Sequence, residues 1–494
     1  AAATKLAHDR IPFDADPFGS ENRVYLSSGP LQHSQMSFTG RMNMTGLSPL
    51  TGGLLSTNAG GYLSRNFVGT GHSAVEIVGE ADELLVVHVT DEGVEFVEAP
   101  ELSGATVPEV TGYVNRERDL DAEHVLWAFG RGGMGAVLGS KNVKAVTFEG
   151  DAAPEVDLPE GVQREVHSAA ATSDDLMRRQ GTTGGTEMIN DNFSLPTRYF
   201  EKYHFEDADK IGGNAVEEKK YKKGSCSMCA FACKLPTRDE ETGLETEGPE
   251  FETVFSFGSN CEVGDIVDVM KSNELCDIYG MDTISCGNAV AAYLAAEDEF
   301  GNADLVHETV EKIATREGIG DLLAEGVSRA AADLGVRNYT VKNMEFAAHD
   351  GRVLHGQGLS YAVANRGGDH MYSTTLRVEY NGEVDPETLE GKPEIVVRRE
   401  NHAAFRDSGI VCAFAGGTGH VTEETLERLF ECDYADLQDV GARTVELERH
   451  FNNKRGMDRE ADTLPYDLPG IEAALDEYYE RRGWNADGTV DDET

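Results

Sequence analysis

The chain has 494 residues, enough for two or three domains, and a formal net charge of −46. Such an acidic chain lacks the basic surface that a nucleic-acid binder needs, and no stretch approaches the roughly 18 apolar residues of a membrane helix. Eight cysteines are too few for a secreted disulfide scaffold, so we expect a reducing, cytoplasmic setting. The even spread of acid favours a salt-adapted organism; an ordinary acidic mesophilic enzyme is the alternative.

Residues 1–150 are predicted to form a β-rich domain. Strand-type residues dominate RVYLSSG (23–29) and HSAVEIVG (72–79), and KNVKAVTFEG (141–150) is predicted as a closing strand. The sequence ELLVVHVTDEGVEFVEAP (83–100) has the pattern of a hairpin with a short acidic turn. Glycine-rich turns are expected at NAGGYLS (58–64) and GRGGMGAVLGSK (130–141), and the AEHVLWAF segment (122–129) between them has a helix-like pattern.

The rest of the chain is predicted to be mostly helical. After an acidic, proline-containing linker at 151–161, apolar residues recur at helical spacing in 263–299 and 309–335, which indicates a helical domain over 151–345. Residues 346–494 mix loops with helices such as TEETLERLFEC (422–432) and end in an acidic tail, 484–494, that we expect to be frayed. The predicted fold class is α+β, with a β-rich N-terminal domain followed by two mostly helical domains.

A cluster of cysteines in GSCSMCAFACKLP (224–236) is the strongest chemical signal. Cys226, Cys229 and Cys233 follow the order C-x₂-C-x₃-C, with three thiolates inside eight positions. Zinc modules usually pair two close ligands with a second close pair, which this chain lacks, so a [4Fe–4S] cluster with a distant fourth ligand is favoured over structural zinc. Spacing cannot choose that ligand among the remaining cysteines, Cys261, Cys276, Cys286, Cys412 and Cys432.

Other motifs are ambiguous on their own. The glycines of GRGGMG, which starts at Gly130, would let backbone N–H groups approach a phosphate, and Arg131 could pair with that phosphate. The motif is neither a dinucleotide-binding fingerprint nor a P-loop, and a tight turn explains it equally well. STNAGGY (56–62) is a second possible phosphate cradle, although a plain turn explains it better in isolation. The remaining candidates are single acidic residues or histidines, each more often structural than functional: Asp277, Asp282, Asp407, Glu250, Glu252 and His370.

Taken together, the motifs resemble those of one family. In chain order they are TGR, STNAGGY, GRGGMGAVLGSKNVKAV, C-x₂-C-x₃-C, GPEFET, DIYGMD, NRGGDH and DSGIVC. This series resembles the aldehyde ferredoxin oxidoreductase family, whose members carry tungsten or molybdenum held by two pterins. The resemblance spans residues 14–415 and implies a β-rich base for the cofactor with two helical domains over it.

The resemblance implies a role for each motif. The cluster would be a [4Fe–4S] centre held by Cys226, Cys229, Cys233 and Cys412. The phosphate end of the pterins, with a bridging magnesium ion, would be served by Arg41, Asn58, Gly60, Arg131 and Gly132. The pterin rings would be bound by Asp277 and Asp407, with Asp282 and the backbone of Met281 and Val411 lining them.

The resemblance also implies the reaction, the oxidation of an aldehyde and water to a carboxylic acid. Glu252 would be the general base and His370 the donor that polarises the carbonyl, with Glu250 as the fallback base. Electrons would leave through the cluster to ferredoxin. Alternatives are a related enzyme that reduces a carboxylic acid or thioester, and a non-catalytic iron–sulfur or zinc scaffold. The partners expected are a small-molecule aldehyde and ferredoxin, with neither nucleic acid nor membrane.

Three departures from the family pattern qualify the resemblance. The usual start of the family is missing and the first residue is Ala, so we expect a truncated beginning. The second Asp motif has its glycine one place early, which weakens the assignment around Val411. The place where some members carry an E-x-x-H motif for an iron between subunits has KSNE (271–274), so we predict no bridging iron, and a homodimer stays open.

Overall fold

The computed structural model describes residues 1–126 and 129–492, and its architecture is the α+β class predicted. The first region holds the larger sheets and the remaining two-thirds of the chain are mostly helical. In chain order the first region contains α1 (Ala2–Arg10), β1 (Val24–Ser27), β2 (Arg41–Leu47), β3 (Leu54–Gly60), α2 (Leu63–Gly69), β4 (Ala74–Ile77), β5 (Leu85–Thr90), β6 (Val94–Glu98), α3 (Val107–Arg118), β7 (Val125–Leu126), α4 (Met134–Ser140) and β8 (Val143–Glu149).

Two four-stranded sheets organise this region. One has the order β3-β2-β1-β4 and is antiparallel throughout; the other has the order β6-β5-β8-β7, with β5 and β8 parallel. Strands β1 and β2 are buried along nearly their whole length, and apolar side chains of both sheets share one core with α2 and α4. The sheets therefore form a rigid base whose strand ends can carry polar groups.

Most strand predictions for this region are confirmed, and two local predictions are wrong. Residues 83–100 form the hairpin of β5 and β6, and strands occur where 23–29, 72–79 and 141–150 predicted them. The segment AEHVLWAF is not a helix: a 3₁₀ turn at Ala122–His124 leads into β7, and Trp127 and Ala128 lie outside the described residues. A short apolar run fits a strand as well as a helix, and pairing with β8 decides between them.

The second wrong prediction concerns NAGGYLS, which is not a turn. Asn58, Ala59 and Gly60 complete β3, and Arg41 of β2 pairs with Gly60 across the ladder. The helix α2 then begins at Leu63. At GRGGMGAVLGSK the turn is confirmed only for its first residues, where Gly130, Gly132 and Gly133 have positive φ, because α4 follows at once.

The middle region is helical, as predicted, and the linker before it has no helix or strand over 151–159. Helices predicted over 263–299 and 309–335 are present. The elements are α5 (Val162–Thr172), α6 (Met177–Gln180), α7 (Thr186–Asp191), α8 (Ala208–Ile211), α9 (Gly213–Lys219), β9 (Pro236–Arg238), β10 (Glu245–Glu247), α10 (Phe251–Thr253), α11 (Ile266–Tyr279), α12 (Thr283–Glu297), α13 (Ala303–Thr315), α14 (Ile319–Leu323), α15 (Val327–Leu334), β11 (Thr340–Val341) and β12 (Met344–Glu345).

Helices α11 and α12 form the centre of this region. Asp265 accepts from the backbone N–H of Val267 to cap α11, and Gly280 ends the same helix in the left-handed conformation. Asp282 then caps α12 by accepting from two backbone N–H groups. Because the two caps lie so close in sequence, the segment from Gly280 to Asp282 is a sharp, fixed corner between two buried helices.

The third region packs long helices around buried ion pairs. Its elements are α16 (His355–Val363), α17 (Leu376–Tyr380), α18 (Lys392–Ser408), α19 (Ala413–Gly417), α20 (Glu423–Phe430), α21 (Tyr434–Lys454) and α22 (Ile471–Arg482). The buried carboxylate of Asp462 pairs with Lys342 at 2.8 Å and with Arg449 at 2.8 Å. In the part of the chain that the structure describes, no helix has the length and apolar character needed to cross a membrane.

The prediction of a frayed acidic tail is wrong for residues 484–492. Trp484 is 8% exposed and stacks on Tyr479, and Val490 is 9% exposed. The turn between them is closed by the backbone N–H of Asn485, which donates to the carbonyl of Thr489 at 2.9 Å. The tail is held because two apolar anchors lie among its acidic residues; residues 493 and 494 lie outside the described part.

Candidate functional site

The four cysteines that the resemblance assigns to one cluster lie close together in the fold, although they come from distant parts of the chain. Cys226, Cys229 and Cys233 lie in the loop between α9 and β9, and Cys412 immediately precedes α19. The backbone N–H of Cys412 donates to Phe38 at 2.9 Å. Burial raises the pKa of Cys226, Cys229 and Cys233, and the nearby Cys412 thiol raises each further. A thiolate at any one of these cysteines would repel a thiolate at the others. Positive iron ions bound between them would stabilise the thiolate forms.

The other cysteines do not join this group. Cys261, Cys276 and Cys286 are buried in the helical core. Burial, and then the Cys286 thiol, raise the pKa of Cys261, and the hydrogen bond with Cys286 raises the pKa of Cys276. Cys432 is next to Asp433 and Asp436, whose charges, after burial, raise its pKa. These four therefore pack within the protein, and Cys412 is the candidate for the fourth position that sequence spacing left open.

The strand ends of β2 and β3 lie beside the first cysteine. A Cβ atom added at Gly60 would lie 2.8 Å from Cys226 Sγ and 3.1 Å from Arg41 Nη1, so only glycine lets the strand, the guanidinium and the thiol approach this closely. Arg41 Nη2 donates to the carbonyl of Asn58 at 3.3 Å. Asn58 Oδ1 is buried without a hydrogen-bond partner among the described residues, as expected of a group placed for a ligand.

Arg131 is held by the protein from several sides. Its buried guanidinium donates to Asp282 at 3.1 Å, to the carbonyl of Glu345 at 2.9 Å and, at 3.4 Å each, to Ser285 and the carbonyl of Gly368. Asp282 is thus both the cap of α12 and the partner of Arg131. Arg131 and Asp282, which the resemblance assigns to the cofactor, therefore also have structural roles in this chain.

Gly132 has a packing explanation of its own. It has φ of 91°, and an added Cβ would lie 2.6 Å from a methyl of Leu55. Its carbonyl accepts from Ser48 Oγ at 2.7 Å. The glycine is required by the turn before α4, whether or not a phosphate approaches it.

The first Asp motif lies at the corner between α11 and α12. Asp277 accepts from Asn273 at 2.9 Å and Thr246 at 3.3 Å, and its side chain is exposed, yet surrounding protein raises its pKa to about 7. Desolvation by the surrounding protein is the largest cause of this raised pKa, although the side chain itself reaches the surface. The backbone N–H of Met281 is used by Cys276, to whose carbonyl it donates at 2.9 Å, so the backbone N–H of Met281 does not point to a ligand.

The second Asp motif lines a cavity of about 170 Å³. Asp407 lines this cavity and accepts from Arg406 at 2.9 Å, and the cavity wall also includes Arg366 and Glu448. Val411 is buried among apolar residues that also contact Cys412. The motif therefore runs from the cavity to the cysteine site within six residues.

Glu252 lies at the centre of a polar cluster with two histidines. Its Oε1 atom is 3.4 Å from His370 Nε2 and 3.8 Å from His349 Nε2, and its Oε2 accepts from the backbone N–H of Ala348 at 2.9 Å. Burial raises the pKa of Glu252 and holds the pKa of His349 well below its usual range. Sequence reasoning named Glu252 and His370 but missed His349, because no spacing or motif marks it.

Glu250 lies apart from this cluster. Its carboxylate accepts from Thr182 Oγ1 at 2.5 Å. Burial raises the pKa of Glu250, and the charged groups that act on this pKa are Lys234, which lowers it, and Glu247, which raises it. The backbone N–H of Phe251 donates to the same Thr182 hydroxyl at 2.8 Å. The side chain of Glu250 thus fixes the start of α10, whereas that of Glu252 faces the histidines.

The residues present fit a pterin–metal group with an iron–sulfur cluster beside it. The fit rests on the orphaned Asn58 Oδ1, the glycine cradle at Gly60 and the gathered thiols of the cysteine site. Pterin rings carry N–H donors, for which the open carboxyl of Asp277 is a suitable acceptor. Arg131, Gly132, Asp282 and Met281 fit less specifically, because protein contacts explain them.

Comparison with known proteins identifies the family of this chain. The family model described as aldehyde ferredoxin oxidoreductase, N-terminal domain, matches residues 1–127, and that for domains 2 and 3 of the same family matches residues 158–494. A tungsten-containing aldehyde ferredoxin oxidoreductase of Pyrococcus abyssi is 31% identical over 97% of this chain and 90% of its own length. Its counterpart in Pyrococcus furiosus is 30% identical over 96% of this chain and 89% of its own length.

More distant relatives have other names. The aliphatic sulfonate oxidoreductase, WOR-like subunit, of Pyrococcus furiosus is 25% identical over 97% of this chain and 88% of its own length. The active-site complex of benzoyl coenzyme A reductase with 1,5-dienoyl-CoA superposes with a TM-score of 0.80, at 20% identity, over 100% of this chain and 91% of its own, and so shares the fold. The chain belongs to the aldehyde ferredoxin oxidoreductase family and is an oxidoreductase of that type.

Proposed function

We propose that this protein oxidises an aldehyde and water to a carboxylic acid at a tungsten or molybdenum bis-pterin centre. A [4Fe–4S] cluster held by the cysteine site would supply the path for electrons to ferredoxin. The observation that carries the proposal is the buried Glu252 carboxylate, whose Oε1 has no hydrogen-bond partner among the described residues and faces His370 Nε2 at 3.4 Å. The proposal is supported by the names of the relatives that this chain resembles. Ferredoxin as acceptor, a small-molecule aldehyde as substrate and a cytoplasmic location belong to the same proposal.

The residues assigned to the cofactor keep the roles that the resemblance gave them. Cys226, Cys229, Cys233 and Cys412 would hold the cluster. The phosphate end and its magnesium ion would be bound by Arg41, Asn58, Gly60, Arg131 and Gly132. The rings would be bound by Asp277 and Asp407, with Asp282 and the backbone of Met281 and Val411 lining them. The bound group supplies a two-electron acceptor for the oxidation.

Glu252 and His370 supply the proton chemistry. Burial raises the pKa of Glu252, so its carboxylate is a stronger base than one in water and can accept the proton of an attacking water molecule. His370 Nε2 donates to the aldehyde oxygen and stabilises the negative charge that develops there. The reaction RCHO + H₂O → RCOOH + 2H⁺ + 2e⁻ needs one residue to take up the first proton, and the geometry favours Glu252 over Glu250.

Replacement of each glutamate separates these roles. Glu252→Gln keeps the shape of the side chain but removes the base, so we expect kcat for aldehyde oxidation with a dye acceptor to fall by about 10²–10⁴-fold. Glu250→Gln is the matched control and should keep kcat within a few-fold of the parent. Metal content is measured in both preparations. Equal rates in the Glu252→Gln variant and the parent, at equal metal content, would remove Glu252 from the mechanism.

Reduction of a thioester or carboxylic acid is the second candidate function. It is favoured by the fold shared with the benzoyl coenzyme A reductase complex. Product analysis distinguishes the two: the proposal expects carboxylic acid formed from aldehydes with reduction of a viologen dye. Turnover confined to an aromatic thioester, with reduced dye as donor, would favour the alternative. The scaffold alternative is set aside because the chain belongs to a family of enzymes.

A further inference from the structure

Glu252, His349 and His370 form a cluster whose geometry suits an ion better than a set of direct hydrogen bonds. One ligand atom from each residue lies within 4.8 Å of the other two. Glu252 Oε1 lies 3.4 Å from His370 Nε2 and 3.8 Å from His349 Nε2, and it forms a hydrogen bond with neither. Oε1 correspondingly has no hydrogen-bond partner within the described residues. An ion or molecule bound between the three side chains would give each of these ligand atoms a partner.

The two separations from Glu252 Oε1 favour a metal ion over a water molecule. Zinc bonds of about 2.0–2.1 Å at tetrahedral angles place neighbouring ligand atoms about 3.3 Å apart. A water molecule that bonds the same atoms at about 2.8 Å would hold them about 4.6 Å apart at tetrahedral angles. The observed 3.4 Å and 3.8 Å lie nearer the metal value.

The ligand types select the class of ion. Two imidazoles and one carboxylate suit zinc and related transition metals, whereas magnesium and calcium prefer oxygen alone. The side chain of His349 is 8% exposed, and those of Glu252 and His370 are 15% and 16% exposed. The three side chains are therefore mostly enclosed yet keep a small exposed area, through which a water molecule can reach a bound ion as its fourth ligand.

We propose that Glu252, His349 and His370 bind one zinc-class divalent cation. The Nδ1 atoms of both histidines are buried without partners in the described part of the chain. Permanent zinc sites usually supply such partners, and their loss costs about 10–100-fold in affinity. Binding is therefore reversible and the ion is removed by a mild chelator. A bound ion would occupy Glu252 Oε1 and so inhibit the aldehyde oxidation; this last step rests on the proposed function.

Calorimetric titration of Zn²⁺ into the anaerobically purified holoenzyme tests the proposal. Excess Mg²⁺ fills acidic surface sites without competing for imidazole. We expect one saturable zinc site, weakened at least about 100-fold in both His349→Phe and Glu252→Gln, since each loses a ligand rather than an outer partner. Phe is tolerated at 349 because the ring already packs on Phe251. His204→Phe, outside the cluster, is the matched control and should bind as the parent does.

The proposal is overturned if the parent shows no single saturable site, or if His349→Phe or Glu252→Gln binds zinc as tightly as the parent. Activity is a separate measurement. Zinc should inhibit aldehyde oxidation in the parent, reversibly on adding chelator, and should inhibit His349→Phe far less relative to its own rate. Because the titration needs no turnover, zinc binding stands or falls independently of the aldehyde reaction.

Discussion

At the scale of single residues, the four cysteines of the cluster site differ from the other four in their surroundings. Cys412 lies against the loop of Cys226, Cys229 and Cys233, whereas Cys432 has two aspartates as neighbours. Cys226 also touches the glycine cradle at the end of β3. The cluster site therefore joins the N-terminal sheet, the helical middle and the third region, and losing one ligand should affect all three.

Cys412→Ala tests this assignment. We expect the variant to lose or degrade the reduced [4Fe–4S] signal in electron paramagnetic resonance, because three thiolates remain for four iron corners. Cys432→Ala is the matched control and should keep both the signal and the iron content of the parent. A normal spectrum with full iron content in the Cys412 variant would refute the ligand set.

The pKa of Asp277 makes a prediction about pH. Because folding raises this pKa from 3.8 to about 7, the folded protein holds a proton that the unfolded chain releases. The contribution of Asp277 to stability is therefore lost as pH rises from about 4 through 7. The Asp277→Asn substitution removes this loss. In the cofactor-free protein above pH 7, the free energy of unfolding of the variant should exceed that of the parent by about 1 kcal/mol, a value reduced for solvent screening.

Urea unfolding of both proteins at several pH values measures the difference. We expect the two free energies of unfolding to converge near pH 4 and to separate towards pH 7. A difference that stays constant over this range would show that the carboxyl titrates alike in the folded and unfolded states.

At the scale of elements, the sequence predicted what local pattern determines. The hairpin of β5 and β6 has alternating β-type residues around a short turn, and α11 and α12 have helical spacing. Residues 122–129 were predicted wrongly because a short apolar run is compatible with either state, and the tail because its anchors, Trp484 and Val490, are far apart among acids.

The cap of α12 gives the prediction at this scale. Asp282→Ala removes the acceptor for two backbone N–H groups and also leaves the buried Arg131 without its carboxylate. We expect the free energy of unfolding to fall by more than about 2 kcal/mol, of which the cap contributes about 1 kcal/mol and the lost charge-assisted bond to Arg131 the rest. Asp282→Asn keeps a cap oxygen and should lose less.

Asp265→Ala is the control for this comparison, because Asp265 caps α11 through Val267 at an exposed position. Its cost should be about 1 kcal/mol in the same urea unfolding experiment. If Asp282→Ala costs no more than Asp265→Ala, the pair with Arg131 does not contribute to stability.

At the scale of the whole molecule, much of the site lay beyond the reach of sequence reasoning. Motifs gave the cysteines, Glu252 and His370, because they are short and ordered. His349 lies beside Glu252 only because of the fold, and no sequence spacing indicates that the two residues are close. The same holds for Arg131 and Asp282, whose bond spans 151 positions. Local pattern therefore predicts elements, whereas contacts between elements decide which residues share a site.

The net charge of −46 predicts a salt dependence. At about 0.1 M salt the Debye length is about 10 Å, so acidic groups repel one another and also repel an acidic ferredoxin. In multimolar KCl this repulsion is screened. We expect stability and ferredoxin reduction to rise steeply between these conditions, and aldehyde oxidation with a neutral dye to rise less, because only folding acts on it.

Stopped-flow ferredoxin reduction and dye reduction on one preparation measure the two effects. If the two curves superimpose, electrostatic docking is not the salt-sensitive step. If neither curve rises, the salt-adapted interpretation of the composition is wrong.

The most direct measurement of the central claim is the metal and pterin content of the anaerobically purified protein. The claim is that the chain holds a tungsten or molybdenum bis-pterin beside an iron–sulfur cluster. We predict tungsten or molybdenum together with about four irons per such atom, and free pterin on denaturation. Protein that contains iron or zinc, yet neither tungsten, molybdenum nor pterin, would contradict the claim.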